Sequence, residues 1–199
     1  MKKESYITDR KKIESLLLPE VGKFSIKKLE ENKDEIFEII PELKDEDGFK
    51  QKNPWHIYDV WKHTLKALEM SRPELDVRLA LLLHDIGKPH SFQDDGEIRH
   101  FRGHSKKSAE ISKCVLERLG YKEEEINDIV YLVENHSTTI DVEKVNRNNI
   151  ELTKKLLHVQ FCDAIAYNPI YIKQVLKKLD VIKNKIIEKE KKYKEEEQR

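Results

Sequence analysis

The run Leu79-Ala80-Leu81-Leu82-Leu83 leads straight into His84-Asp85, so a segment with no polar face delivers an imidazole and a carboxylate at its end. Such a segment runs through a core, where an unpaired carboxylate costs several kcal/mol even after relaxation. Asp85 therefore needs a cation, a dense set of hydrogen bonds or a metal ion. Adjacent helical side chains diverge by about 100°, so His84 and Asp85 converge only on something lying beside the helix. The pattern recurs elsewhere. His63 lies on the stripe Val60, His63, Ala67, Met70, and Asp163 on the stripe Leu156, Val159, Asp163, Ala166. His136 follows Ile129 and Val133, and His104 opens the stripe Ser108, Ile111, Val115. One histidine on an apolar face is ordinarily a core residue with a hydrogen-bond partner. Four histidines and two aspartates aimed inward would each need a separate partner, whereas a shared metal site satisfies them together.

Phosphate chemistry beside such a site needs positive charge. Lys88 follows Asp85 by three residues, close enough to reach a ligand on the metal. The stretch from Arg99 to Lys107 adds Arg99, Arg102, Lys106 and Lys107 with no acidic residue, next to His104 at a helix N-terminus that itself attracts anions. His56 and His100 sit where they could line a pocket, with solvated loop positions as the plain alternative. His90 and His158 read as structural or surface residues.

Helices must hold these groups. The six Gly and six Pro fall almost entirely between segments of period 3.6, which predicts an all-α domain. Thr8 caps a first helix to about Leu18, and Ser25 caps a second that stops before Pro41. Further helices run from about Ile57 to Met70, from Pro73 to Gly87, from His104 to Leu119, from Glu123 to Asn135 and from Ile150 to Tyr167. Asn168 with Pro169 starts a last helix to the chain end. Between Pro89 and Gly103, Asp94-Asp95-Gly96 fits a small hairpin. From Lys183 the chain is mostly Lys and Glu, with a stripe of Val175, Leu179, Ile182, Ile186 and Tyr193 interrupted by Lys189. That stripe predicts a helix that packs and then projects as a solvated tail. The expected organisation is an N-terminal helical extension over 1–50, a core domain over 51–182 and a charged helical tail over 183–199.

Composition narrows the classes. Across 199 residues, 38 Lys+Arg cancel 38 Asp+Glu, which disfavours an extended nucleic-acid surface. The longest apolar stretch falls far short of the roughly 20 residues of a membrane span, and the N-terminus has no apolar signal core, so a cytoplasmic protein is expected. Cys114 and Cys162, with no CxxC, exclude a disulfide framework or a cysteine zinc cluster. Any metal is left to His and carboxylates.

His63, then His84-Asp85, then Asp163 resembles the H…HD…D signature of the HD superfamily of metal-dependent phosphohydrolases. With His104 and His136 it resembles the six-ligand variant, which can hold two metals. The nearer resemblance is to the HD module of bacterial tRNA CCA-adding enzymes. It is carried by Ile40-Pro41-Glu42-Leu43, Asn53-Pro54-Trp55-His56, Asp59-Val60-Trp61-Lys62-His63-Thr64-Leu65, Leu82-Leu83-His84-Asp85-Ile86-Gly87-Lys88-Pro89 and His100-Phe101-Arg102-Gly103-His104-Ser105. About fifty residues precede Trp55, with no Gly-Ser followed by an Asp-x-Asp pair, so the nucleotidyltransferase head and nucleotide addition are not expected. The resemblance implies a helical HD-domain bundle that hydrolyses a phosphomonoester or phosphodiester of a small nucleotide-like substrate. His63, His84, Asp85 and Asp163 would hold one metal, and His104 and His136 a second bridged by Asp85. Asp85 and Lys88 would serve catalysis, and Lys88, His56, His100 and Arg102 the substrate. The donor set fits manganese, iron, cobalt, nickel or zinc, as one or two ions. The rival readings are a di-iron oxygenase of the same superfamily and a non-catalytic RNA- or protein-binding module.

Overall fold

The computed structural model describes the backbone of residues 2–198 and the side chains of 6–198. The helices are α1 (Lys2–Leu17), α2 (Ile26–Glu31), α3 (Lys33–Ile39), α4 (Val60–Glu69), α5 (Leu75–Leu83), α6 (His104–Arg118), α7 (Glu123–Asn135), α8 (Ile150–Ile165) and α9 (Pro169–Glu197). Among the described residues a single hairpin of β1 (Gln93–Asp94) and β2 (Arg99–His100) pairs Gln93 with His100 and Asp94 with Arg99. The all-α class and the hairpin are as the sequence implies.

The architecture follows from α5. Every residue from Val77 to Leu83 is buried, so this helix needs neighbours on all sides. It receives them from α1, α4, α7 and α8, while α6 pairs with α7 and α9 with α8. One charge on α5, Arg78, is buried, and the helix end next to it satisfies it. Its guanidinium donates to the Leu17 carbonyl at the end of α1 and to Ser71 Oγ, and lies 3.9 Å over the Phe24 ring. Trp61 of α4 is likewise fully buried, edge-on to Phe37 of α3, with its indole N–H donated to Glu30.

Several boundaries differ from expectation. Thr8 lies inside α1, which begins at Lys2. The segment before Pro41 is two helices, because Asn32 leaves helical geometry, and Ser25 begins the first without a side-chain cap bond. Asp59 caps α4 by accepting from the Lys62 N–H, and Asn168 caps α9 by accepting from the Ile170 N–H. The α5 helix starts at Leu75 and stops at Leu83, which leaves His84 to Gly87 as a tight turn. Nor does the last helix project after Lys183. Ile186 is buried, the Tyr193 hydroxyl donates to the Val145 carbonyl, and Arg147 meets Glu196 and Glu197. Lys189, the polar break in the stripe, donates to the carbonyls of Glu143 and Val145. Its apolar stem packs while its ammonium serves the turn. Among the described residues, no helix is long and apolar enough to cross a membrane.

Candidate metal centre

Five helices bring the six inward side chains together. His63 projects from the middle of α4, His84 and Asp85 from the turn closing α5, and His104 from the first residue of α6. His136 caps the end of α7, and Asp163 comes from the last turn of α8. Five of the six are buried, and His104 keeps some exposure. His84 and Asp85 both lie just beyond the last residue of α5, and the cluster sits beside that end of the helix between them.

The six form two groups, and Asp85 faces both. His63, His84 and Asp163 offer ligand atoms within 4.8 Å of one another, as do Asp85, His104 and His136. Asp85 Oδ2 lies 3.1 Å from His84 Nε2 and 3.4 Å from His63 Nε2. Its Oδ1 lies 3.5 Å from His104 Nε2 and 3.6 Å from His136 Nε2. Asp163 Oδ1 completes the first group 2.9 Å from His63 Nε2, while its Oδ2 accepts from the Tyr167 hydroxyl at 2.8 Å. One carboxylate with an oxygen in each group has the arrangement of a bridging ligand.

The hydrogen-bond pattern shows which ring atoms are free to bind metal. Nδ1 of His84, His104 and His136 each lies 2.7 Å from the carbonyl three residues earlier, of Leu81, Phe101 and Val133, and His63 Nδ1 lies 3.3 Å from the Ala166 carbonyl. A carbonyl accepts only from a protonated nitrogen, so Nδ1 carries hydrogen in His84, His104 and His136 and Nε2 faces inward, while His63 faces an acceptor at each nitrogen, the closer being Asp163 at its Nε2. The inward nitrogens then crowd one another. Nε2 of His63 and His84 are 3.3 Å apart, and those of His104 and His136 are 3.2 Å apart. Both Asp85 oxygens are buried without an aligned hydrogen bond. Imidazole nitrogens crowded around a buried carboxylate suit a divalent cation in each group, and imidazole with carboxylate and no thiolate suits a first-row transition metal.

The electrostatics point the same way. Burial works against a proton on His84, yet Asp85 and Asp163 overcome it and push the imidazole up to about 10, so the first group demands positive charge. Burial also opposes ionisation of Asp85 and Asp163. The His84 charge followed by the Lys88 charge for Asp85, and the hydrogen bonds of His63 and His84 for Asp163, nevertheless hold both carboxyls well below their usual range. In the second group burial, aided by the His84 charge, pushes His136 down to about 3, and burial lowers His104. Those two rings are neutral donors.

Lys88 is buried beside the cluster, its ammonium 2.6 Å from Asp85 Oδ2. The ammonium also donates to Gln51 Oε1 at 2.8 Å and faces His56 Nε2 at 3.5 Å. His56 Nδ1 is 2.9 Å from Asn53 Oδ1, which leaves Nε2 as the acceptor, and burial followed by the Lys88 charge pushes its imidazole down to about 2. His100 is exposed on β2 beside Asp95, Arg102 is exposed, and Arg99 is bound to Asp94 and the Lys50 carbonyl. His90 lies at the surface near Asp45, and His158 accepts from the Arg72 N–H.

Three further contributors were not singled out by the sequence. Gln51 lies in a stretch without apolar periodicity, and Tyr167 ends the periodic segment four residues after Asp163. Glu46, fully buried in a short 3-10 helix, is bonded only by the Thr64 hydroxyl, and burial followed by the Asp85 charge pushes it up to about 8. Gly87 was expected to end a helix. Instead it has ordinary helical φ, and what it provides is room. A Cβ there would lie 2.5 Å from Ser108 N and 2.7 Å from the His104 carbonyl, so the turn carrying Asp85 abuts the α6 backbone.

Comparison with known proteins gives a consistent picture. A family model described as HD domain matches residues 56–168. The A-adding tRNA nucleotidyltransferase of Deinococcus radiodurans is 31% identical over 139 residues, which is 64% of this chain and 32% of that protein. The CC-adding tRNA nucleotidyltransferase of Thermus thermophilus is 36% identical over 112 residues, 53% of this chain and 26% of that protein. The match thus spans about a third or less of each of these relatives.

Proposed function

Because the chain belongs to the HD domain family of metal-dependent phosphohydrolases, we propose that it hydrolyses a phosphomonoester or phosphodiester bond of a small nucleotide-like substrate. The observation that carries this reading is the position of Asp85, whose two oxygens face two separate ligand groups while Lys88 stands beside one of them. His63, His84, Asp85 and Asp163 would hold one divalent ion, and His104, His136 and Asp85 a second. Bound there, such ions supply an activated water and Lewis acidity toward the phosphoryl oxygen.

The chain's own residues supply orientation and charge. The Nδ1 bonds of His84, His104 and His136 fix those rings, and Tyr167 fixes Asp163, so the ligand atoms are positioned before substrate arrives. Lys88, steered by Gln51 and His56, neutralises charge on the phosphoryl group from a site that excludes water. The named relatives add nucleotides to tRNA, which accords with a nucleotide-like ligand. The oxygenase reading would use the same six ligands, but a buried ammonium beside them favours an anionic substrate. A plain binding module has no use for so many buried ligand atoms.

The test is metal analysis of protein purified without added metal, followed by assay on a panel of phosphomonoesters and phosphodiesters. The expected result is bound transition metal and turnover of at least one nucleotide-like ester. Bound iron with substrate-dependent oxygen uptake and no phosphate release would transfer the protein to the oxygenase class.

A further inference from the structure

We propose that Trp55 is the base-recognition residue of this site, a fixed aromatic platform on which a nucleobase stacks while its phosphate lies at Lys88. The inference rests on the phosphohydrolase reading and adds what tells one phosphoester from another.

Trp55 is 42% exposed, unlike Trp61 in the core. Its ring is nevertheless held. One side lies against Tyr171 of α9, with ring centroids 4.1 Å apart and planes tilted by 32°, and Tyr167 meets it edge-on at 6.4 Å. The backbone beneath is pinned as well. The Asn168 N–H donates to the Trp55 carbonyl, the Asn168 side chain donates to the Pro54 carbonyl, and the Trp55 N–H donates to Asn53. An indole restrained in this way loses little freedom when a second ring stacks on it.

Its position gives the exposed ring a purpose. The next residue, His56, packs 5.0 Å from the His63 ring and faces the Lys88 ammonium. Tyr167 lies between, 5.1 Å from His56 and 6.1 Å from His63, with its hydroxyl on Asp163. A continuous set of rings therefore leads from the buried ligands to the surface, and Trp55 is its outer end. Ile57 and Ile170, neighbours in sequence of Trp55 and Asn168, are also exposed and offer no charge. On the side of the cluster that carries His56 and Tyr167, the surface reached is thus aromatic and aliphatic. A planar base suits it, because stacking on an aromatic side chain contributes about 1–3 kcal/mol per base with little dependence on which base.

The experiment compares wild type, Trp55→Ala and Trp55→Phe on AMP, on the dinucleotide ApA and on ribose 5-phosphate, the same sugar phosphate without a base. Binding is read in parallel from tryptophan fluorescence. In wild type, AMP should quench emission and ribose 5-phosphate should not, with the quench lost in Trp55→Phe because buried Trp61 reports nothing. Trp55→Ala should raise KM for the base-bearing substrates about 5- to 150-fold, the stacking energy expressed as a ratio, with kcat and ribose 5-phosphate kinetics unchanged and Trp55→Phe close to wild type. A lower KM for ApA than for AMP would identify an RNA end as the source of the base, and the reverse a mononucleotide. Equal KM for AMP and ribose 5-phosphate in wild type, or an equal effect of Trp55→Ala on both, overturns the proposal. Absence of all turnover removes the phosphohydrolase reading, and the fluorescence arm still decides Trp55: a quench by AMP alone supports it, and no quench overturns it.

Discussion

Asp85 is where the chemistry concentrates, and the position of its two oxygens between the two groups makes its substitution informative. Asp85→Ala should abolish hydrolysis and release metal while leaving helical content intact, since ligands are lost and apolar packing is not; circular dichroism with metal analysis reads both. Lys88→Ala should lower kcat by about 10²–10³-fold while metal occupancy falls little, because the partner lost is the phosphoryl charge. A variant with normal turnover per bound ion would show that Lys88 serves only to neutralise Asp85. Glu46 makes a separate prediction. Burial and the Asp85 charge push it up to about 8, so folded protein keeps its proton over an interval where the unfolded chain has lost it. Its stability contribution is full below the ordinary carboxyl range near 4.5 and drains as pH rises through about 8, at up to about 1.4 kcal/mol per pH unit. Chelator-treated Glu46→Gln should lack that slope in thermal melts. Glu46 was not legible in the sequence because its burial is set by a short 3-10 helix without periodicity. The six candidate ligands were legible because each stands on an apolar face or at the end of one.

At the scale of elements, the site depends on how closely the turn after α5 meets α6. The Gly87 N–H donates to Ser108 Oγ at 2.9 Å, and a Cβ at that position would collide with backbone, which cannot give way as a flexible side chain can. Gly87→Ala should therefore cost about 1–3 kcal/mol and move His104 away from Asp85, weakening the ion held by His104 and His136 more than the one held by α4, the α5 turn and α8. Melting together with metal titration would show it; equal weakening of both ions would count against the packing argument. The sequence marks Gly87 as a helix stop, a reading based on glycine's backbone freedom. The close approach that requires glycine is a tertiary fact, and so is the break at Asn32 that divides α2 from α3. By contrast, the Asn168-Pro169 start of α9 and the Asp94-Asp95-Gly96 hairpin are local and appear as expected.

Over the whole molecule, the long last helix is a brace that stays packed on α8 and the turn at 142–145. Charge composition could not reveal this, because the anchors are single residues, Tyr193 and Lys189, whose acceptors are carbonyls from a distant turn. Tyr193→Ala should lower stability by about 1–2 kcal/mol through lost packing and one hydrogen bond without changing KM or kcat. Arg147→Ala, which removes two exposed ion pairs and a contact over the Tyr193 ring, should lower the melting temperature by less than Tyr193→Ala does.

The central claim is that Asp85 bridges two metal ions within one helical bundle, and metal stoichiometry tests it most directly. Elemental analysis of metal-saturated wild type, His104→Ala and His136→Ala should give about two ions per chain for the first and about one for each variant, since His63, His84, Asp85 and Asp163 still hold theirs. Saturation of wild type at one ion, retained in both variants, would contradict the account and assign His104 and His136 to the substrate.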